Sequence, residues 1–350
     1  MTTGRALTRM TVVASLILAF ALLEGCYYMQ AINGQMEVLR KRRPISEVIS
    51  DDDTDDDLRV RLEMVREARQ FAVDQLLLPD NDSYLSYTDL ERDFVVWNVF
   101  AAPEFSLTPE QWCYPVAGCV AYRGYFAEDK AASKAQKLEK KGLDVYVGGV
   151  AAYSTLGRFD DPVLNTMMRW SDEYLIRTLF HELAHQKLYV SGDTAFNESF
   201  ASAVAEVGMQ RWGRYAESMP RPDDFDQHDA LLQTVRQRVA KAREELEGIY
   251  SSDASDEIMR LQKLSVLSKL SEDAQSEIDQ SGLSIQNWLA PPLNNARLAS
   301  FGVYESNLPA FRVILETCSN ELACFYDKSS ILADLDFDDR QERLTELQLR

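Results

Sequence analysis

The sequence has 350 residues, of which 46% are hydrophobic and 10% aromatic, so it is long enough for one large domain or two and too apolar to be wholly disordered. Its 56 acidic and 37 basic side chains give a formal net charge of −19 at pH 7. A surface of that charge repels phosphate backbones, which argues against a nucleic-acid partner.

The N-terminus has the pattern of a secretion signal. Arg5 and Arg9 precede an apolar run over residues 11–23 that is short for a membrane span. The run ends in Leu-Glu-Gly-Cys, which resembles the bacterial lipobox, where a signal peptidase cuts before a cysteine that becomes lipid-modified. Glu24 departs from that pattern, which has a small or apolar residue at this place.

This pattern predicts that residues 1–25 are a signal peptide and that Cys26 is a lipid anchor. The alternative is an uncleaved signal anchor. Tyr27, rather than aspartate, follows the cysteine and favours the outer membrane. The expected location is therefore periplasmic, with a lipid tether to that membrane.

The five cysteines fit an oxidising compartment. With Cys26 assigned to the anchor, the other four form two local pairs, Cys113 with Cys119 and Cys318 with Cys324. This spacing predicts two short-loop disulfides. The alternative is a zinc site of four thiolates, which the lack of CxxC spacing disfavours.

Residues 26–50 are expected to be a tether between the anchor and the folded body. The acidic run 51–57 reads DDDTDDD and lacks the spaced ligands and glycine turn of a calcium loop. Acidic residues at a helix start suit the helix macrodipole, so an amphipathic helix is predicted over residues 58–76.

The next region has the composition of strands. The stretches FVVWNVFAAPEFSL, VAGCVAYRGYF and LDVYVGGV are rich in β-branched and aromatic residues, and a helix over 128–142 precedes the third. The path from these strands into the following helix predicts a small mixed sheet with that helix packed on it.

That helix carries two of the three histidines in the sequence. Ser171 is its predicted cap and Gly192 its predicted end. His181 and His185 are one turn apart on one face, which lets both imidazoles reach one zinc ion about 2 Å away. Glu182, at the edge of that face, can contact a bound water as a base without ligating the metal.

A catalytic zinc ion takes three protein ligands and keeps one open position. The favoured third ligand is Glu198, on the apolar side of a second helix that starts at Asp193 or Thr194, because a carboxylate buried there needs a partner. His228, in a polar segment, is the alternative ligand. The alternative to a metal site is a pair of histidines that are satisfied without metal.

After Pro222 the composition turns helical. Residues 229–250 and 256–280 predict an antiparallel helical hairpin broken near Ser251. The predicted fold class is α+β, with a catalytic region over 51–217 and a mainly helical region over 218–350.

At this point five stretches resemble a family of bacterial lipoproteins described as aminopeptidases with a zincin-type HExxH motif. They are FVVWNVFAAPE, WCYPVAGCVAYRGYF, DVYVGGVAAYSTLGRF, FHELAHQKLYV and DTAFNESFA, and the likeness covers nearly the whole mature chain. The resemblance implies a zincin-like fold, one zinc ion with a glutamate as third ligand, and peptidase activity on peptides of the cell envelope.

The chain departs from thermolysin-like enzymes in two ways. The 13 positions from His185 to Glu198 are a shorter spacing, and Ser202 stands where those enzymes carry an aspartate that supports a zinc-bound histidine.

The resemblance also implies roles for further residues. In such sites a base, here Glu182, takes a proton from water and passes it to the leaving amine. A second oxyanion donor is usual, and Tyr153, Tyr304 and Arg297 are candidates by position.

Zincin-like peptidases bind substrate as an extra strand beside the sheet edge upstream of the zinc helix. Ser154, Thr155 and Gly157 of the AYSTLG stretch occupy that place in the sequence. The alternative is an ordinary edge strand.

Two other functions stay open. One is a non-catalytic envelope lipoprotein that uses the zinc-helix region as an interaction scaffold, and the other is an amidase for a cell-wall peptide bond. The intact Glu182 argues against the scaffold, since a structural zinc site has no need of a base. No residue is identifiable as an anchor for a free substrate amine, so the sequence does not separate aminopeptidase from endopeptidase.

Overall fold

The computed structural model describes residues 27–114, 118–215, 225–282, 289–305 and 307–349, without side chains at 225–230, 232 and 302–305. Within these ranges the chain is mixed α+β, as predicted, with a mainly helical C-terminal part. None of the helices in these ranges is long and apolar enough to cross a membrane. The Cys26 prediction lies outside the described residues.

Twelve helices and eight short strands occur in the described part of the chain. The N-terminal elements are α1 (27–40), β1 (Arg43–Pro44), α2 (Ile45–Ser50), α3 (Asp56–Leu76) and β2 (Ser86–Thr88). The central elements are β3 (Val96–Pro103), β4 (Trp112–Tyr114), β5 (Gly118–Val120), β6 (Arg123–Tyr125), α4 (Glu128–Glu139), β7 (Leu143–Val150), β8 (Val163–Leu164) and a 3-10 turn (Met167–Arg169). The remaining helices are α5 (Asp172–Lys187), α6 (Thr194–Tyr215), α7 (Phe225–Tyr250), α8 (Asp256–Ser281), α9 (Asn295–Glu305), α10 (Leu308–Thr317), α11 (Leu322–Ala333) and α12 (Phe337–Gln348).

The strands form three small sheets. One is mixed, because β2 pairs antiparallel with β1 and parallel with β8. A second is antiparallel in the order β6-β3-β7, with Val99 opposite Val147, and the third is the β4-β5 hairpin. The mixed sheet shares the main hydrophobic core with α5, whereas the antiparallel sheet packs against α4 and α9.

The residues expected to be a tether are folded into the body. Val38 on α1 and Ile45 and Val48 on α2 are buried in the main core. The segment escaped prediction because the face that α1 buries includes a small residue, Gly34, in place of a large apolar one. A Cβ atom at Gly34 would lie 2.0 Å from Cγ of Phe126, so only glycine allows this helix to approach so closely.

The C-terminal helices divide between two cores. The α7–α8 hairpin forms as predicted and packs around its own apolar cluster, which includes Leu246 and Leu267. Helices α10–α12 return to the main core, where Phe311 and Phe325 pack on Phe200 of α6. The main core therefore contains residues from both sides of the division expected near residue 217.

Both predicted disulfides are present. Cys113 and Cys119 join the two strands of the β4-β5 hairpin. Cys318 and Cys324 join the end of α10 to α11. Each closes a short loop between elements that are neighbours in the sequence.

Candidate metal centre and active site

Helix α5 places the two histidines at one end of a cavity. The Ser171 side chain caps the helix by accepting a hydrogen bond of 3.2 Å from the Tyr174 backbone N–H, as predicted. The helix ends at Lys187, earlier than the predicted end at Gly192, and Leu188 follows in an extended conformation. His181 and His185 lie on the same face, with ring centroids 4.7 Å apart.

The turn between α5 and α6 is held by one amide side chain. Asn197 Oδ1 accepts a hydrogen bond of 2.7 Å from the Val190 N–H, and Asn197 Nδ2 donates one of 2.8 Å to the Val190 carbonyl. Gly192 has φ +85°, a conformation that favours glycine. This turn folds α6 back along α5, so that Glu198 faces the histidines.

Three donor atoms converge at this point. His181 Nε2 lies 3.1 Å from Glu198 Oε2 and 3.1 Å from His185 Nε2, and His185 Nε2 lies 3.7 Å from Glu198 Oε2. Ligand atoms about 2 Å from one zinc ion in tetrahedral geometry lie about 3.3 Å from each other. Two imidazole nitrogens and a carboxylate oxygen are also a donor set that zinc prefers, so these residues fit the ion.

The two glutamates of the site differ in electrostatic environment. Burial raises the pKa of Glu198, but the charges and hydrogen bonds of His185 and His181 outweigh burial and hold that pKa well below its ordinary value. Burial raises the pKa of Glu182 to about 7, His181 opposes that shift, and the negative charges of Glu198 and Asp161 add to it. Glu198 is therefore the carboxylate suited to ligation, and Glu182 the one suited to accept a proton.

The donors open into a cavity of about 980 Å³. Its walls come from α1, from the edge of the β6-β3-β7 sheet, from the loop after β7 and from α5. Aromatic side chains dominate the lining, among them Phe94, Tyr122, Phe126, Trp170 and Tyr189. A cavity of this size admits several residues of a peptide.

A family model described as “Putative aminopeptidase” matches residues 26–344. The chain belongs to this family. Membership indicates peptidase activity, and the cavity at the histidine cluster is the part of the described structure that has the donors for such chemistry. No curated protein and no solved structure matches the chain.

The three predicted oxyanion donors of this aminopeptidase-family chain have different surroundings in the structure. Tyr153 lines the cavity, but its hydroxyl donates to Oε1 of Gln35 on α1. Arg297 also lines the cavity, with its guanidinium 4.9 Å from the Tyr146 ring centroid and Nη1 donating to the Ala290 carbonyl at 2.9 Å. The Tyr304 side chain lies outside the described residues.

Two tyrosines that sequence reasoning missed lie in the same cavity. Burial raises the pKa values of Tyr122 and Tyr189, and the negative charge of Glu198 is the next cause in both cases. The negative charge of Glu198 therefore acts on both hydroxyls. Nothing local in the sequence marks Tyr122, because it is brought to the site by pairing between strands.

The predicted substrate edge is not a strand. Residues 151–157 form a loop, in which the Asp161 carboxylate accepts hydrogen bonds from the Thr155 N–H at 2.9 Å and its hydroxyl at 2.7 Å. Of the three predicted residues, Ser154 lines the cavity, whereas Thr155 and Gly157 are absent from its lining. The sheet has two edge strands, β6 and β7, and both contribute to the cavity lining, β6 through Gly124 and β7 through residues that include Gly149 and Val150.

The structure also describes the support of His185 and the place of His228, the alternative ligand. His185 Nδ1 is buried without a hydrogen-bond partner among the described residues, and Ser202 is partly buried. Within the described part of the chain, no carboxylate accepts a hydrogen bond from this nitrogen. The backbone of His228, the alternative ligand, is in α7, and its side chain lies outside the described residues.

Proposed function

We propose that this family member is a zinc-dependent peptidase, in which His181, His185 and Glu198 hold one zinc ion and Glu182 is the general base. The observation that carries the proposal is the convergence of two imidazole nitrogens and one carboxylate oxygen, 3.1 to 3.7 Å apart, at the end of a peptide-sized cavity. A bound cation would also relieve the close approach of two imidazole nitrogens, which otherwise requires a proton between them.

Each side chain has a separate task in this proposal. A zinc ion held there would act as a Lewis acid and make water acidic enough to lose a proton near neutral pH. Glu182, whose carboxylate is not one of the three donors, accepts a proton from water and donates it to the departing amine. The apolar side chains of the cavity lining lower the local dielectric constant and strengthen these electrostatic interactions.

The edge of β7 is the proposed binding site for the substrate backbone. An extended peptide that adds to a sheet edge gains main-chain hydrogen bonds, while the cavity accommodates alternate side chains. Gly149 and Val150 belong to both the edge strand and the cavity lining. A peptide bound there would share the cavity with the histidine cluster, which also belongs to the lining.

The proposed location is the periplasm, with Cys26 as the lipid anchor. The apolar run at 11–23 and the cysteine that follows it support this, and the two disulfides suit an oxidising compartment. Mass spectrometry of the N-terminal peptide tests it, since an unmodified cysteine in the mature protein would contradict lipidation.

Metal analysis and peptide-library hydrolysis of single variants test the proposed roles. Glu198→Gln is expected to lower zinc occupancy and activity together, because a ligand atom is lost. Glu182→Gln is expected to keep zinc yet reduce turnover by roughly 10²-fold or more, the scale of lost general-base catalysis. The matched controls are Glu173→Gln on α5 and Glu206→Gln on α6, which leave all three donors in place.

Three outcomes would count against this assignment. Full turnover by Glu182→Gln would contradict the base. Zinc retained by Glu198→Gln but lost by His228→Ala would reassign the third ligand. A protein that holds zinc but cleaves no peptide in the library would favour the non-catalytic scaffold.

A further inference from the structure

Exposed apolar side chains from three separate elements lie in the cavity lining or close to it in the sequence. Helix α1, the loop after β7 and the first turn of α5 all contribute, and every member is between 39% and 57% exposed. We call this set the cavity rim; its members are Tyr28, Met29, Ile32, Met36, Phe159 and Tyr174. Exposed apolar patches of this kind mark an interaction surface.

The rim members on α1 form one stripe. Tyr28, Met29, Ile32 and Met36 fall within about 100° of each other around a helix of 3.6 residues per turn. Two of them, Ile32 and Met36, also line the cavity. The exposed stripe is therefore continuous with the cavity wall.

The place of the rim relative to the N-terminal apolar run indicates its occupant. The run at 11–23 and Cys26 immediately precede Tyr27, and Tyr27 itself lines the cavity. Either a lipid on Cys26 or an uncleaved apolar run would hold residue 26 at a bilayer surface. At 1.5 Å per residue, Met29 lies about 5 Å and Met36 about 15 Å from that point along α1.

Electrostatic attraction contributes less than apolar surface to the binding of a partner at this face. Residues 40–43 are the longest run of cations in the sequence, and all four are exposed. However, Lys41 lies within 3.6 Å of Glu91 and Arg43 within 2.8 Å of Asp51. Because carboxylates already accompany this run, the apolar rim provides the main attraction.

We infer that the cavity rim rests on the lipid bilayer, so that the cavity opens at the membrane surface. If the proposed peptidase function holds, the substrates are peptides held at that surface, such as acylated or membrane-associated chains. A second copy of the protein on the same rim is the competing occupant.

Site-specific fluorescence on the full chain tests the docking. A new cysteine at Phe159, far in sequence from the anchor, is labelled with an environment-sensitive dye, and the protein is reconstituted in vesicles that contain a shallow nitroxide lipid. The matched control is a cysteine at Leu261 on α8, which is 64% exposed and does not line the cavity. Wild-type protein, labelled in parallel, gives the background.

The Phe159 probe is expected to be blue-shifted and roughly threefold more quenched than the Leu261 probe, because an interfacial residue lies within reach of the nitroxide. Equal quenching of the two probes would overturn the docking. A blue shift without quenching would show that protein, not lipid, covers the rim.

Hydrolysis of one peptide in two forms tests the substrate class. The peptide is offered free in solution and acylated in vesicles, and Met29→Glu is compared with Leu261→Glu. Met29 is exposed and does not line the cavity, so its charged variant is expected to lower kcat/KM on the vesicle-bound form by roughly fivefold or more and to spare the free form.

Leu261→Glu is expected to change neither form. If kcat/KM on the vesicle-bound form falls in both variants, or in neither, the proposed substrate class is overturned. Failure of wild type to cleave either form would instead refute the peptidase, and the quenching result would still decide the docking.

Discussion

Asp161 is a buried carboxyl group that organises the loop between β7 and β8. It accepts hydrogen bonds from Thr155 at 2.9 and 2.7 Å, and its own carbonyl accepts one of 2.6 Å from the Tyr84 N–H. Burial raises the pKa of Asp161 to about 6, although the hydrogen bonds from Thr155 and Ser154 oppose that shift. The folded protein therefore binds this proton more tightly than the unfolded chain, whose carboxyl has the ordinary pKa of about 3.9.

This shift predicts a pH-dependent stability at the residue scale. The stabilisation from protonated Asp161 is fully present below about pH 4 and is lost as pH rises through about 6. Asp161→Asn cannot ionise, so the stability of the wild type relative to this variant is expected to fall over that range. Thermal unfolding in chelator from pH 4 to 7.5 measures it, with Asp160→Asn as the control for loss of one negative charge. A difference that stays constant with pH would contradict the prediction.

At the scale of elements, the last helix fixes the start of the helix that carries the third proposed ligand. Arg340 on α12 and Asp193 before α6 are 4% and 3% exposed, and Arg340 Nε lies 2.8 Å from Asp193 Oδ2. Asp193 Oδ1 also accepts a hydrogen bond of 3.0 Å from the Phe196 N–H, which caps α6. Glu198 follows in the first turns of α6, so its position depends on this buried ion pair.

Removing the arginine is therefore expected to affect both folding and metal binding. Arg340→Met leaves Asp193 buried without its charge partner, which costs about 3–5 kcal/mol of stability. Zinc affinity is expected to fall as well, because the first turn of α6 loosens. Arg343→Met on the same helix removes an exposed pair and is expected to cost about 0–1 kcal/mol.

Urea unfolding and competitive zinc titration measure the two effects. The double variant Arg340→Met/Asp193→Asn, which no longer buries an unpaired charge, is expected to recover part of the stability. If Arg340→Met matches Arg343→Met in both measurements, then α12 does not position Glu198.

Those elements also show which features the sequence can predict. The spacing of His181 and His185, the cap at Ser171 and the two disulfides depend on residues a few positions apart, so the helical period and local pairing indicate them. The Arg340–Asp193 pair joins residues 147 positions apart. Periodicity identifies which face of an element is apolar, but it does not identify the element that covers that face.

The same limit explains why the stretch predicted as an edge strand is a loop. Composition predicted the strand that ends at residue 150, and the resemblance implied an edge strand after it. The sequence alone does not show that Thr155 donates hydrogen bonds to a carboxylate six positions later. Hydrogen bonds to Asp161 replace those of a strand ladder there. The strand β7 was predicted as a strand but not as an edge of its sheet.

For the whole molecule, one core joins the first and last described helices to α5 and α6. Side chains from α1–α3, α5, α6 and α10–α12 belong to the same buried cluster. Residues 27–50 therefore belong to the folded body. The N-terminal segment also supplies part of the cavity wall, including Gln35 and Met36.

A truncation series tests this role for residues 27–50. A chain that starts at residue 51 loses the buried side chains of Val38, Ile45 and Val48, together with the 2.8 Å pair between Glu37 and Arg92. At about 1.5–3 kcal/mol for each apolar side chain, the loss is about 5 kcal/mol or more, comparable with the whole stability of many proteins.

We therefore expect the chain from residue 51 to unfold at a markedly lower temperature than the chain from residue 27, and to lose peptide hydrolysis along with the α1 wall. Calorimetry and hydrolysis of a soluble peptide compare the two chains without any membrane. Equal unfolding temperatures would mean that residues 27–50 act as the tether their sequence position implies. A lower temperature with unchanged hydrolysis would instead separate the two roles, because α1 would then support the core without shaping the cavity.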